Sequence, residues 1–165
     1  MNLDVLPAGA AVLIDANILI YAAQGSSPQC RSLLARCVSH EVTGILTVVT
    51  IAEFCHRRMM QEAQSLGLAT SSPAKALAQN PLLINKLSRY MQEVEDLLAA
   101  DLTALPLAVG DFAKALELQR QHGLLTNDSL HLAAGWRAGI VTLATNDSHF
   151  DRVPGIKLFK PSDVS

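Results

Sequence analysis

The clearest signal for the fold is the apolar run Ala10-Ala11-Val12-Leu13-Ile14, which is followed directly by Asp15. A short apolar run of this kind is typical of a strand buried on both faces of a sheet. Comparable runs occur over 45–50 and 141–144, and helical patterns separate them. Because strands alternate with helices and no segment repeats, the sequence predicts a parallel sheet covered by helices on both faces.

The remaining elements are predicted from periodicity and from capping residues. We expect further strands over 105–109 and 156–159, and helices over 28–40, from 51 onward, over 82–102, over 111–121 and over 128–138. Residues 67–81 are rich in Ser, Thr, Ala and Pro, which predicts a mobile connection or an irregular helical pair. The whole chain, residues 1–165, is expected to form one domain.

Composition narrows the function classes. Half of the residues are hydrophobic and 17% are charged, which excludes a disordered chain and leaves apolar surface for a second copy. Three cysteines without a C-x-x-C spacing indicate neither a disulfide framework nor a zinc knuckle. Neither a signal peptide nor a long apolar span is found, so we expect a soluble cytoplasmic protein without membrane contact. A net charge of −2 argues against binding nucleic acid by basic excess alone.

Four acids stand where the predicted strands end or the predicted helices begin: Asp15, Glu53, Asp128 and Asp147. In open α/β sheets, sites form outside the carboxyl ends of the strands. Each acid also has a structural explanation, because Asp15 and Asp147 suit turns or N-caps, and Glu53 and Asp128 suit the positive end of a helix dipole. Their coincidence at one predicted sheet edge favours a site for Mg²⁺ or Mn²⁺, which prefer carboxylate ligands.

Such a site suits phosphodiester hydrolysis, because paired hard cations activate water and stabilise the attacking and leaving oxygens. Asn17 is expected to orient Asp15 or to contact a metal-bound water, and Thr145 to bond a phosphate or a metal-bound water. Asp151 is expected to lie just outside the metal ligands. Arg57, one turn beyond Glu53, and Arg152 are the candidates for contacts with backbone phosphates of a substrate.

Two other enzyme classes share part of this pattern. Glu53–His56 and Asp128–His131 have the i, i+3 spacing of a di-iron carboxylate site. A four-helix bundle would need further inward carboxylates and would not begin with strands. An aspartate after an apolar strand also begins the haloacid-dehalogenase phosphatases, but Asn17 stands where those enzymes need a second acid to protonate the leaving group.

Four segments together resemble the motifs of PIN-domain ribonucleases, in that family's order, from residue 11 to about residue 160. They are Leu13-Ile14-Asp15-Ala16-Asn17-Ile18-Leu19-Ile20-Tyr21, Thr50-Ile51-Ala52-Glu53-Phe54, Asn127-Asp128-Ser129-Leu130-His131-Leu132-Ala133-Ala134 and Ala144-Thr145-Asn146-Asp147-Ser148-His149-Phe150-Asp151. The resemblance implies a three-layer α/β/α fold with a mostly parallel sheet of four to five strands. It also implies a site with one or two Mg²⁺ or Mn²⁺ ions that cleaves single-stranded or looped RNA.

Carried over by position, the resemblance makes Asp15, Glu53, Asp128 and Asp147 the catalytic metal ligands. Asn17, Thr145 and Asp151 match supporting positions of the family. Many small members are VapC-type toxins, which are dimeric and are neutralised by an antitoxin, so the resemblance implies an RNA substrate, a homodimer and an antitoxin partner. Residues 60–105 match no motif. The alternative is a catalytically silent PIN-like module that binds RNA or a protein.

Overall fold

Five parallel strands form one sheet at the centre of the molecule, in the order β3-β2-β1-β4-β5. The computed structural model describes residues 1–68 and 72–164. The strands are β1 (Ala11–Ile14), β2 (Thr43–Thr47), β3 (Thr103–Leu105), β4 (Thr142–Ala144) and β5 (Lys157–Phe159). The order reverses at β1, which pairs with β2 on one side and with β4 on the other. A parallel sheet of this order leaves a crevice at the carboxyl ends of its central strands.

Helices cover both faces of the sheet. They are α1 (Ala16–Gln24), α2 (Pro28–Val38), α3 (Val48–Ser65), α4 (Pro73–Gln79), α5 (Arg89–Ala99), α6 (Val109–His122) and α7 (Thr126–Arg137), with short 3₁₀ segments at Leu3–Val5, Pro81–Lys86 and Ser148–Arg152. Side chains of β1 alternate between two cores: Val12 and Ile14 belong to the core that includes α1 and α2, whereas Leu13 belongs to the core that includes α6 and α7. This three-layer α/β/α arrangement confirms the predicted fold class.

Gly135 sets the distance between α7 and the sheet. A Cβ atom at this position would collide with the side chain of Leu13 on β1. The absence of a side chain therefore lets α7 lie close against the central strand, which brings the first turn of α7 towards the end of β1.

Helix α1 was not expected, because the sequence predicted a first helix only over 28–40. The chain instead enters α1 directly after Asp15, and Gly25 ends that helix in the left-handed conformation, with φ 71°. Because α1 starts one residue beyond Asp15, the strand and the helix hold this acid from both sides.

The boundary between β2 and α3 also differs from the prediction of a strand over 45–50. Thr47 caps α3, since its Oγ1 accepts a hydrogen bond from the Thr50 amide at 3.3 Å, and residues 48–50 form the first helical turn. Capping here outweighs the strand preference of the β-branched residues. The shift moves Glu53 from the predicted helix start into the second turn of α3.

The single helix predicted over 82–102 is wrong. The chain forms the 3₁₀ segment Pro81–Lys86 and then the separate helix α5. The break is stabilised by Glu62 on α3, whose carboxylate accepts hydrogen bonds from the amides of Ser88, Arg89 and Tyr90 at the start of α5. These donors have no partner within a helix, so a carboxylate from α3 takes that place.

The other boundaries shift by a few residues. The third strand ends at Leu105 instead of spanning 105–109, and α6 already begins at Val109. Helix α7 begins at Thr126, two residues before the predicted start at 128. Part of the segment 67–81 forms α4, while residues 69–71 lie outside the described part of the chain. Within the described ranges, no helix combines the length and apolar character that a membrane crossing requires.

Candidate metal centre

Asp15 lies at the carboxyl end of β1, beside the end of β4. The register pairs Ile14 with Ala144, so the residues that follow these two, Asp15 and Thr145, are neighbours. The Asp15 amide donates to the Ala144 carbonyl oxygen at 3.0 Å and continues the ladder of the sheet. Asp15 occupies the N-cap position of α1, but its side chain makes no capping hydrogen bond. Its carboxylate is therefore not used to begin the helix.

The Asp15 carboxylate is held by two side chains. Its Oδ2 accepts hydrogen bonds from Asn17 Nδ2 at 2.6 Å and from Thr145 Oγ1 at 2.5 Å. Thr145 Oγ1 also accepts the Asp147 amide at 2.9 Å, and Asn17 Oδ1 accepts the Asn146 amide at 3.1 Å. Asn17 and Thr145 thus tie the turn after β1 to the loop after β4, and they fix Asp15 relative to Asp147.

Glu53 and Asp128 come from two helices that a buried polar cluster holds together. The Oγ1 atoms of Thr47 and Thr50, at the start of α3, each lie 2.9 Å from His131 Nδ1 on α7. Burial lowers the pKa of His131 to about 4, so the ring is neutral at pH 7 and one nitrogen can accept a hydroxyl proton. This cluster joins the start of α3, one turn before Glu53, to the first turns of α7, where Asp128 lies.

The four acids line a single cleft with a volume of about 600 Å³. The residues that line it are Asp15, Asn17, Glu53, Arg57, Leu125, Thr126, Asn127, Asp128, Asp147 and His149. Among the described residues of this lining, Arg57 is the single lysine or arginine, and its Nε pairs with Glu53 Oε1 at 3.0 Å. The cleft therefore carries more negative than positive charge.

This charge imbalance changes the acidity of two carboxyl groups. Burial raises the pKa of Asp15, and the nearby charge of Asp147 raises it further, against the hydrogen bond from Thr145. Burial and the charges of Asp15, Asp147 and Glu53 together raise the pKa of Asp128 to about 6. A bound cation would relieve this repulsion, because an opposite charge favours the ionised form of a carboxyl group.

The donor set of the cleft fits a hard divalent cation. Carboxylate oxygens are the ligands that Mg²⁺ and Mn²⁺ prefer, and four carboxylates converge here with one arginine to offset them. Asp128, Asp147 and His149 each offer a ligand atom, and these three atoms lie within 4.8 Å of one another. His149 was not among the predicted site residues; the signal for it was its position two residues after Asp147.

Three of the predicted residues lie outside the cleft lining: Thr145, Asp151 and Arg152. Thr145 is fully buried, and its hydroxyl donates to Asp15 instead of facing a phosphate. Asp151 is exposed and pairs with Lys160, whose Nζ lies 2.7 Å from Asp151 Oδ1. Arg152 is also exposed, and its Nε donates to the carbonyl oxygen of His149 at 3.0 Å. Arg57, by contrast, does line the cleft, so it is better placed than Arg152 to contact a bound phosphate.

Comparison with known proteins gives one matching family and several similar structures. A family model described as PIN domain matches residues 12–156. No curated protein matches the sequence. One similar solved structure is VapBC2 from Rickettsia felis, bound to a DNA fragment from its promoter. It is 17% identical to this chain with a TM-score of 0.60, and the match covers 91% of this chain and 98% of that one.

Two further structures have the same fold. A toxin–antitoxin complex from Klebsiella pneumoniae is 17% identical with a TM-score of 0.55, over 88% of this chain and 95% of that one. VapC20 from Mycobacterium tuberculosis, a sarcin–ricin loop cleaving toxin, is 11% identical with a TM-score of 0.55, over 88% of this chain and 96% of that one. At these identities the likeness concerns the fold.

Proposed function

The chain belongs to the PIN domain family, whose members are nucleases, and on that premise we propose that it is a Mg²⁺- or Mn²⁺-dependent endoribonuclease. The observation that carries the proposal is the meeting of Asp15, Glu53, Asp128 and Asp147 in one cleft that lacks matching positive charge. Carboxylates that repel one another lower the stability of a fold, and they persist where the site needs them.

In this proposal Asp15, Asp128 and Asp147 are the main metal ligands, and Glu53 contacts a second ion or acts through a water. One or two divalent ions bound there would supply an activated water and a positive charge beside the cleaved phosphodiester. Asn17 and Thr145 keep the Asp15 carboxylate in place through their two hydrogen bonds. The expected products carry 5′-phosphate and 3′-hydroxyl ends.

Arg57 is the residue that we assign to the substrate phosphate. Its side chain is 54% exposed, it lines the cleft, and it already pairs with Glu53. A guanidinium has donors for two partners at once, so it can bond a phosphate oxygen while it keeps its contact with the acid. Arg57 would then place the RNA backbone against the metal ligands.

The proposal extends to a toxin role with an antitoxin partner and a homodimer. The similar structures from Rickettsia felis and Klebsiella pneumoniae are toxin–antitoxin assemblies, which supports the antitoxin. Three exposed apolar side chains on α6 support the second copy: Val109, Phe112 and Leu116, which are 90%, 50% and 52% exposed. Their i, i+3, i+7 spacing puts them on one helix face, where a second protomer would cover them.

The proposal is tested by incubating the purified protein with a pooled RNA library in Mn²⁺ or in EDTA and sequencing the new ends. We expect Mn²⁺-dependent cleavage by the wild type and by Asp101→Asn, which changes an exposed acid outside the cleft, and none by Asp15→Asn. Cleavage that survives in EDTA and in Asp15→Asn would contradict the metal-dependent mechanism. RNA that is bound but stays intact in Mn²⁺ would favour the silent binding module.

A further inference from the structure

We propose that His149 is a nitrogen ligand of the divalent ion in this cleft, and that the protein therefore binds Mn²⁺ in preference to Mg²⁺. This inference rests on the proposed function and deepens it. The family resemblance and the four acids account for an oxygen site that would take either ion. The imidazole adds a donor of different chemistry, which decides between the two ions.

The geometry places His149 among the acids. Its ligand atom and those of Asp128 and Asp147 lie within 4.8 Å of one another. His149 Nδ1 is 3.3 Å from Asp147 Oδ1. Neighbouring ligands of an octahedral ion with bonds of about 2.1 Å lie about 3 Å apart. The separation of these two atoms is therefore close to what two adjacent ligands of one ion need.

The backbone around His149 is fixed on both sides. Its amide donates to Asp147 Oδ1 at 2.7 Å, and its carbonyl oxygen accepts Arg152 Nε at 3.0 Å. The next residue, Phe150, is buried in the core. The 3₁₀ segment thus anchors the histidine backbone while the ring stays 49% exposed and lines the cleft. An anchored backbone with an accessible ring suits a residue that takes up an ion from solvent.

Charge gives a second reason for an imidazole here. Among the residues that the structure describes, the cleft lining already brings four carboxylates together with a single arginine to offset them. A fifth carboxylate would add to the repulsion among them, whereas a neutral imidazole supplies a lone pair without further negative charge. His149 therefore completes the ligand set at a lower electrostatic cost than another acid would.

The imidazole changes which ion the cleft prefers. Mg²⁺ favours oxygen ligands and gives up its waters reluctantly, whereas imidazole is a common ligand of first-row transition metals. A site that combines carboxylates with one imidazole therefore binds Mn²⁺ more tightly than Mg²⁺. An exposed His–Asp ion pair, the structural alternative, contributes little to stability and predicts no preference between the two ions.

The first test is pulsed electron paramagnetic resonance of the Mn²⁺-loaded protein, which detects nitrogen bound to the metal. We expect an imidazole nitrogen signal that shifts when histidine is labelled with ¹⁵N. The signal should be absent in His149→Gln and present in His56→Gln, a matched control that changes an exposed histidine on α3 outside the cleft lining. A signal that persists in His149→Gln would overturn the proposal.

The second test is calorimetric titration with Mn²⁺ alone and with Mg²⁺ alone. His149→Gln should weaken Mn²⁺ binding about tenfold or more and should leave Mg²⁺ binding within about threefold. An equal loss for both ions would overturn the preference. If Mn²⁺ binds the wild type, is lost in Asp15→Asn and shows no nitrogen signal, His149 is not a ligand and the nuclease proposal stands. If the wild type takes up no Mn²⁺, both proposals fail.

Discussion

The carboxylates of this protein fall into two groups with opposite surroundings. Between α3 and α5, Glu93 accepts hydrogen bonds from Arg58 at 2.6 Å and from Arg89 at 3.0 Å. Burial raises the pKa of Glu93, but these two arginines more than offset that effect and bring it below its usual value. In the cleft, Asp15 and Asp128 have raised pKa values because burial and neighbouring acids act without a comparable cation.

Asp111, at the start of α6, resembles Glu93 and differs from the acids of the cleft. It is buried, yet Arg137 bonds both of its oxygens, at 2.8 and 3.1 Å, and lowers its pKa. The fold therefore supplies arginine partners to the acids that join helices. It leaves the four acids of the cleft with fewer positive charges than negative ones. This difference separates structural acids from candidate functional acids more sharply than exposure does, because buried acids occur in both groups.

The largest expected effect lies in the cleft. Asp128→Asn and Asp147→Asn should each lower the rate of Mn²⁺-dependent RNA cleavage about a thousandfold, because each removes a charged ligand of the proposed metal ion. Glu93→Gln should leave the rate of the folded enzyme within about twofold, because Glu93 lies outside the cleft. The rates are measured on one fluorescent RNA that carries a site found by sequencing. The contrast would be lost if Glu93→Gln slowed cleavage as much as Asp128→Asn.

The second effect concerns Glu93, one of the acids that pair with arginines. Glu93→Gln should lower the free energy of unfolding by about 3 kcal/mol, because the change leaves the buried guanidinium of Arg58 without its carboxylate. Arg58 is 5% exposed and Glu93 is 20% exposed. Urea denaturation measures the change. Glu117→Gln, which breaks an exposed pair with Lys114, serves as the control and should leave the midpoint unchanged. Equal midpoints for the two variants would refute the structural role of Glu93.

A third effect concerns His131, which lies behind the cleft. Its pKa falls from 6.5 to about 4 in the folded state because the ring is buried. The unfolded chain therefore binds a proton more readily, so stability is lost as the pH falls from about 6.5 to about 4. The loss should reach about 3 kcal/mol. His131→Gln removes the titrating ring, and unfolding curves at several pH values should show a wild-type loss that the variant lacks. If the wild type and His131→Gln lose stability in parallel as the pH falls, His131 is not the group responsible for the loss.

The sequence predicted the part of the cleft whose residues directly follow strands. Asp15 and Thr145 follow buried apolar runs, and the carboxyl ends of parallel strands meet at one edge, so their meeting was predictable. The position of Glu53 was less accurate, because residues 48–50 are β-branched and the cap at Thr47 decides the helix start. Local capping competes with strand preference, and the sequence alone does not show which prevails.

The paired acids could not be assigned from the sequence. Glu93 and Arg58 are 35 residues apart on two helices, and their contact depends on how α5 packs against α3. Contacts of this kind, which depend on tertiary packing, leave no spacing rule in the chain. His149 differs from Glu93, because it lies only two residues after Asp147 and its ring meets that acid within the 3₁₀ turn that Asp147 caps. That position was a local signal in the sequence.

Thermal unfolding of the wild type and Asp128→Asn at pH 8, in EDTA and in Mn²⁺, tests most directly whether the cleft acids hold a divalent cation. The pKa of Asp128 rises from 3.8 to about 6, so its charged form destabilises the fold above about pH 6 and the effect vanishes below about pH 4. In EDTA the variant should be more stable by about 1 kcal/mol, allowing for solvent screening.

In Mn²⁺ the order should reverse, because the ion offsets the repulsion in the wild type and has lost a ligand in the variant. We expect a large rise in melting temperature for the wild type and little change for Asp128→Asn. A variant that is less stable than the wild type in EDTA, or an equal rise for both proteins in Mn²⁺, would contradict the claim that the cleft acids await a divalent cation.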